Sequence, residues 1–344
     1  MRVPIYDVRV GDRLGSDTFN KHGLLVLSAH TVLHAEDIAK LQRHDLDYVD
    51  IDLQVENSRL TVSTVQEQQA EAYSNAVDNI KLVFEQVLHE GKLHEEQVEN
   101  GFTPLVQHFK QEKDVVSLLI ALNTKDDYTY QHSVQVGMIS YYIAKWLGQS
   151  EDEALLAGKA GYLHDIGKSK VSIDILQKPS RLTDEEYEEI KKHTIFGYEM
   201  LKQSGFEQSL AVAALQHHER LDGTGYPLRI KGHEMSRMSK IVAVADVYSA
   251  MISNRTYQKA RNLLHVLREI HRCSFGELDP GITQVFIRNM VPNFVGKKLQ
   301  LTNGQLGTIV LTNPVDFFRP LINVEGRFVD LSHERELDIE QIFV

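Results

Sequence analysis

The sequence predicts a mainly α protein: a central helical bundle with a small α+β module before it and a small β domain after it. Three observations predict this. Residues 113–292 repeat apolar side chains at the three- and four-residue intervals of buried helices. Residues 1–52 alternate short apolar runs with turn residues. After Pro292, short strand-like runs are separated by Gly, Asn and Pro. The expected division is an N-terminal module over 1–60, a helical connector over 61–112, the bundle over 113–292 and the β domain over 293–344.

In the first module, Asn20-Lys21-His22-Gly23 separates Asp17-Thr18-Phe19 from Leu24-Leu25-Val26-Leu27, the pattern of a hairpin. Ala35 to Leu41 reads as a short amphipathic helix and Tyr48 to Ile51 as a closing strand. The histidines here (His22, His30, His34, His44) lack metal-ligand spacing and read as surface residues. In the connector, Ala72, Ala76, Ile80, Val83, Phe84 and Val87 recur at helical spacing among Gln and Glu, and a second helix is expected after Gly101. This hairpin is read as a spacer or a dimerisation element, so a homodimer is one expected assembly.

Within the bundle, Val115 to Leu122, Ser133 to Leu147 and Glu151 to Leu163 are three successive helical patterns. Thr183 followed by Asp184-Glu185-Glu186 is an N-cap with an acidic first turn, opening a helix expected to carry His193 and run to Gly205. Ser209 to Glu219 follows, then a Gly- and Pro-containing loop from Arg220 to Pro227. Met238 to Ser253, Asn262 to Cys273 and Ile282 to Met290 complete the helices. Beyond them, Lys298–Leu301, Gly307–Leu311, Arg319–Val324 and Arg327–Leu331 read as strands.

Bulk properties restrict the function. Of the 344 residues, 42% are hydrophobic and 25% charged, ordinary values for a globular protein. One cysteine, Cys273, excludes an internal disulfide framework and suits a reducing compartment. No signal-like apolar core or run of 18 apolar residues occurs, so a cytoplasmic location and no membrane partner are expected. The formal net charge of -11 argues against non-specific nucleic-acid binding. A small phosphate ligand stays compatible, because bound divalent cations invert the local field.

The chemistry gathers around Gly161-Tyr162-Leu163-His164-Asp165-Ile166-Gly167-Lys168. Adjacent residues of a regular helix point about 100° apart, but at a helix end the backbone turns off axis and His164 and Asp165 can converge on one ion. Gly167 is read as permitting that turn. His132, His193, His217, His218 and Asp246 lie near other predicted helix ends, and imidazole with carboxylate suits iron, manganese and similar divalent metals. Seven such groups are too many for one ion and suit two that share a carboxylate, set in a bundle core. Two metals about 3.5–4 Å apart activate a bridging water and clamp phosphodiester oxygens, so metal-assisted phosphoester hydrolysis is the expected reaction. Asp246, in an apolar helix, needs a cationic partner if ionised. Glu219 is read as orienting a ligand imidazole.

His164-Asp165-Ile166-Gly167-Lys168 and His217-His218-Glu219-Arg220-Leu221-Asp222-Gly223-Thr224-Gly225-Tyr226-Pro227 together resemble the HD-GYP family, a branch of the HD-domain metal phosphohydrolases. The resemblance covers about residues 113–292. It implies a helical bundle with a two- or three-metal centre of iron or manganese, and hydrolysis of cyclic di-GMP to linear pGpG and on to GMP. Carried over by motif position, His132, His164, Asp165, His193, His217, His218 and Asp246 are the expected ligands, with Asp165 bridging and catalytic. Lys168 and Arg255 are the expected phosphate contacts. Tyr226 is expected to touch substrate, on a loop that in the family is linked to diguanylate cyclase domains.

The sequence departs from the family pattern at three places. Tyr128 stands where a three-metal subset carries glutamate, with Asp127 one residue off that face, so two ions are expected. Ser249 replaces a carboxylate three residues after Asp246, and Gln258 stands where a basic residue is common. These two changes motivate a rival reading, a slow-turnover cyclic di-GMP receptor; a third reading is an enzyme for another nucleotide such as cyclic GMP-AMP or a guanosine polyphosphate.

Overall fold

The computed structural model describes residues 2–343 except 6, 7, 9, 20–24, 45, 47, 52, 53, 111–127 and 254–262. The chain forms two compact units, Met1–Ala70 and Glu71–Val344. The first holds two small antiparallel sheets. Strand β1 (Arg2–Pro4) pairs with β4 (Tyr48–Asp50), and β2 (Thr18–Phe19) with β3 (Leu25–Leu27). Helix α1 (Ala35–Arg43) carries Leu41 into a core with Ile5, Leu14, Val26, Leu33 and Val49. β1 escaped the sequence reading because three residues ending in proline carry no strand periodicity.

Helix α2 (Gln54–Glu90) leads into the second unit, where Ala76, Ile80, Val83, Phe84 and Val87 are buried as the spacing predicts. Helix α3 (Glu95–Phe109) does not begin after Gly101 but contains it. The glycine is there for proximity: a Cβ would overlap the Asn79 side chain on α2. Helices α4 (Tyr128–Trp146) and α5 (Glu151–Leu163) pack extensively on each other. A Cβ on Gly161 would stand 2.6 Å from the Val136 carbonyl oxygen, and one on Gly137 or Gly158 would collide with the Phe102 ring. α5 opens with a reciprocal capping box between Ser150 and Glu153. The predicted helix over Val115 to Leu122 lies outside the described residues.

After α5 the chain makes a 3-10 turn (Ile166–Lys170) and the short helix α6 (Ile173–Leu176). The helix expected from Thr183 to Gly205 is two helices, α7 (Asp184–Lys191) and α8 (His193–Gln203). Side chains make the break. His193 Nδ1 lies 2.6 Å from the Ile190 carbonyl oxygen, and Thr194 Oγ1 donates to that of Lys191 at 2.9 Å. Both carbonyls would otherwise accept backbone N–H groups of a continuous helix. The Thr183–Glu186 capping box predicted for the start of α7 is present.

Helices α9 (Gln208–Gln216), α10 (Arg237–Ser253), α11 (Leu263–Cys273) and α12 (Pro280–Met290) follow. Of these, α10 packs on both α4 and α5. The C-terminal strands β5 (Lys298–Leu301), β6 (Leu306–Leu311), β7 (Leu321–Val324), β8 (Arg327–Asp330) and β9 (Ile339–Phe343) form one antiparallel sheet in the order β8-β7-β6-β5-β9. β9 is an addition to the four strands read from sequence. Leu299, Leu301, Ile309, Ile322, Ile339 and Ile342 are buried continuously with the helical core. Among the described residues, no helix is long and apolar enough to cross a membrane.

Candidate metal centre

Three histidines are aimed at the centre by one local device. His164 caps the C-terminus of α5, His193 follows the end of α7, and His217 caps α9. The last carbonyls of a helix lack backbone partners. Each of these rings turns Nδ1 onto the carbonyl three residues back: His164 to Gly161 at 2.6 Å, His193 to Ile190 at 2.6 Å and His217 to Ala214 at 2.8 Å. A carbonyl only accepts, so Nδ1 carries the proton and Nε2 presents its lone pair inward.

Asp165 lies where these lone pairs meet. Its Oδ1 is 3.3 Å from His193 Nε2 and 3.9 Å from His217 Nε2, and its Oδ2 is 3.2 Å from His164 Nε2 and 4.0 Å from His132 Nε2. Two groups of potential ligands result, Asp165-His193-His217-His218 and His132-His164-Asp165, and Asp165 belongs to both. Asp246, from α10, reaches across them. Its Oδ1 is 3.0 Å from His132 Nε2 and 3.9 Å from His164 Nε2, and its Oδ2 is 3.5 Å from His218 Nδ1. All seven sequence-selected residues are thus brought to one place.

The donor set fits divalent cations. His164 Nε2 and Asp165 Oδ1 are buried with no hydrogen-bond partner, although other groups lie within 3.5 Å. Unpaired buried polar atoms are costly unless something binds them. Burial opposes charge on Asp165 and Asp246, yet the surrounding imidazoles, with the Lys168 ammonium beside Asp165, hold both carboxyls well below the usual range. Burial also keeps imidazoles neutral. It pushes His193 down to about 4 and, with crowding by neighbouring rings, His217 well below its ordinary value. Burial lowers His218 against the pull of Asp246. His164 is the exception: burial would lower it, but Asp165 and Asp246 outweigh that and raise it. Ionised carboxylates beside neutral imidazoles are the forms that ligate metal.

Lys168 Nζ donates to Asp165 Oδ2 at 2.5 Å and also lines a cleft of ≈ 570 Å³ between α2, the start of α4 and α6. Phe84, Tyr130, Ile173 and Gln177 line the same cleft; none reads as a site residue in the sequence, where Phe84 carries only the apolar spacing of ordinary helix packing. Gly167 has another role than the one expected. Its backbone passes against that of His193 and Gly197, so there is no room for a Cβ. Tyr226 stacks on His218, with ring centroids 4.6 Å apart, and burial raises its hydroxyl pKa. Gly225 lets this loop close: a Cβ there would stand 2.5 Å from the His218 carbonyl oxygen.

Glu219 does not orient an imidazole as expected. Fully buried, its Oε1 accepts from the Leu228 and Arg229 amides at 2.6 and 3.1 Å, pinning the far side of the Gly-Tyr-Pro loop. Ser249 faces the same site as Asp246, as its spacing predicts, and contacts His132, with Oγ 3.0 Å from Nδ1. Arg255, Gln258 and Asp127 lie outside the described residues, as does the side chain of Tyr128.

Fold and site define a class: a helical bundle domain whose core presents a His/Asp cluster suited to divalent metal. Residues 115–282 match the HD domain family model. A cyclic di-GMP phosphodiesterase of Pseudomonas aeruginosa is 36% identical over 231 residues, covering 64% of this chain and 56% of the relative. A cyclic di-GMP phosphodiesterase of Thermotoga maritima is 36% identical over 198 residues, covering 57% and 53%. A 3'3'-cGAMP-specific phosphodiesterase of Vibrio cholerae is 35% identical over 178 residues, covering 51% and 41%. The chain therefore spans about half the length of these curated relatives. Among solved structures, an HDG"Y"P protein from Bdellovibrio bacteriovorus shares the fold, with TM-score 0.52, 18% identity, and 83% and 97% of the two chains covered.

Proposed function

We propose that this protein is a metal-dependent phosphodiesterase that hydrolyses cyclic di-GMP. The observation that carries this reading is the place of Asp165 between two groups of imidazoles. In this reading His132, His164, Asp165, His193, His217, His218 and Asp246 hold two divalent ions, iron or manganese, within the catalytic segment 113–292. Bound there, the ions supply water activation and charge neutralisation at phosphorus.

The chain's own residues provide the rest. Hydrolysis adds one water and breaks one P–O3′ bond, leaving a 5′-phosphate and a 3′-hydroxyl on linear pGpG; repeating it gives two GMP. Imidazole lone pairs and ionised carboxylates would hold the cations. Lys168 is placed at the junction of cleft and centre. A phosphate entering from the cleft meets its ammonium, which stabilises charge as it develops on the phosphoryl oxygens. Arg255 is the second proposed phosphate contact, on the resemblance alone. Tyr226 closes the side of the centre formed by His218 and excludes water.

The similarity to the Vibrio cholerae relative supports a second reading, hydrolysis of 3'3'-cGAMP. A diguanylate cyclase domain is the proposed partner for the Gly-Tyr-Pro loop, where Leu228 is exposed. A homodimer and a cytoplasmic location complete the proposal. The deciding experiment is a product assay on anaerobically purified, iron- or manganese-loaded protein, with Asp165→Ala as control. Linear pGpG or GMP from the wild type alone supports the reading, with about two ions per chain by elemental analysis. Faster turnover of 3'3'-cGAMP would move the specificity, and binding without product would make the protein a receptor.

A further inference from the structure

His132 differs from the three histidines whose Nδ1 rests on a helix-terminal carbonyl. It lies in the first turns of α4 and not at a helix C-terminus. Its Nδ1 instead meets Ser249 Oγ, brought from α10, at 3.0 Å. Ser249 in turn donates its hydroxyl proton to Gln135 Oε1 at 2.9 Å. A serine hydroxyl has one proton. With that proton given to Gln135, Oγ can only accept from the imidazole, so the ring's Nδ1 carries hydrogen. Nε2 then faces Asp246 Oδ1 at 3.0 Å, a hydrogen-bond distance, and Asp165 Oδ2 at 4.0 Å. A cation among these groups would take the Nε2 lone pair in place of that hydrogen bond.

Burial makes the arrangement specific. His132, Gln135 and Ser249 are 5%, 3% and 1% exposed, so bulk water offers no ready substitute for these bonds. Gln135 stands three residues after His132 on the same helical face, and the chain joins α4 to α10 at the level of the metal site.

We infer that Ser249 and Gln135 are positioning residues, whose hydrogen-bond chain fixes the His132 ring with Nδ1 protonated and aims Nε2 at one of the two metal positions. The inference rests on the reading of His132 as a ligand. It also gives Ser249 a task directed at the metal centre rather than at substrate. A partner on the remote nitrogen of a ligating imidazole typically governs metal affinity by about 10–100-fold.

The test is manganese affinity, measured by competition with a chromophoric chelator on the full chain stripped of metal, with circular dichroism to follow the fold. Ser249→Ala should weaken one of the two manganese positions by about tenfold or more. Ser249→Thr, which keeps the hydroxyl, should stay close to wild type. Gln135→Leu should give a smaller loss, because the freed hydroxyl proton can turn toward His132. A merely structural role predicts equal weakening of both positions and no rescue by threonine, and that result would overturn the inference. If His132→Ala loses a metal while Ser249→Ala binds normally, the positioning role fails and the ligand reading stands. If His132→Ala binds normally, both fail. Should Ser249→Ala not fold, Gln135→Leu decides: weakening at one position supports the chain, and wild-type binding overturns it.

Discussion

Gly167 and His193 are in backbone contact: a Cβ on the glycine would overlap the histidine's carbonyl oxygen and stand 2.5 Å from the Gly197 amide nitrogen. This contact sets the spacing between the His164-Asp165 pair and His193. Gly167→Ala is therefore expected to push α8 away and to destabilise the protein by about 1–3 kcal/mol, the usual cost of overpacking. Urea unfolding measures the loss, and elemental analysis should show less bound metal. Unchanged stability and metal content would mean that α8 shifts freely.

Asp165 is shared by two groups of ligands, so its loss should affect both. Asp165→Asn is close in shape but neutral, and should lower bound metal at both positions and reduce turnover by more than about 100-fold, exceeding the loss of an imidazole's remote partner. Loss of a single ion, with the other fully occupied, would show that Asp165 serves one position only.

Glu219 anchors the loop that carries Tyr226 by accepting two amides on one oxygen. Glu219→Ala leaves both N–H groups without that acceptor and should cost about 1–3 kcal/mol. Glu219→Gln keeps a carbonyl oxygen for them and should cost less, provided its NH2 can occupy the place of Oε2. Denaturation of both variants checks the order. Equal losses would assign the effect to the carboxylate's charge.

The metal-free protein should become less stable on mild acidification. His193 titrates at about 4 in the fold, and His217 and His218 also well below their ordinary value, whereas unfolded histidine titrates near 6.5. Below about pH 6.5 the unfolded chain thus takes up protons that the folded chain refuses, and stability falls with pH. Each such histidine contributes a slope of up to about 1.4 kcal/mol per pH unit. His164, raised in the fold, works in the opposite direction. Urea midpoints of the metal-free protein at pH 7.5 and 5 measure the balance; no decrease at pH 5 would show that the imidazoles charge inside the fold.

Much of this was legible in the residues themselves. Apolar spacing located most bundle helices, because burial of one helical face imposes that spacing whatever the partner. Thr183 announced its cap, since the interaction with Glu186 spans only three residues. The seven His and Asp side chains could be selected because helix ends and ligand chemistry are local properties. Misreadings arose where distant chain segments intervene. Gly101 looked like a helix boundary and is a point of contact with Asn79, and the break at Lys192 depends on side chains turning back onto Ile190 and Lys191.

The sequence by itself indicated which groups can bind metal and placed His164 and His217 at helix ends, since residue type and local periodicity contain both, whereas Asp246 lies well inside α10. Only the tertiary structure decided that Asp165 lies between two sets of rings, that Glu219 serves the loop and not an imidazole, and that Ser249 and Gln135 complete His132. These are distances between segments up to 117 residues apart. Such distances follow from how closely the helices pack, and glycines such as Gly161 and Gly167 set that closeness through neighbours that spacing along the chain does not identify.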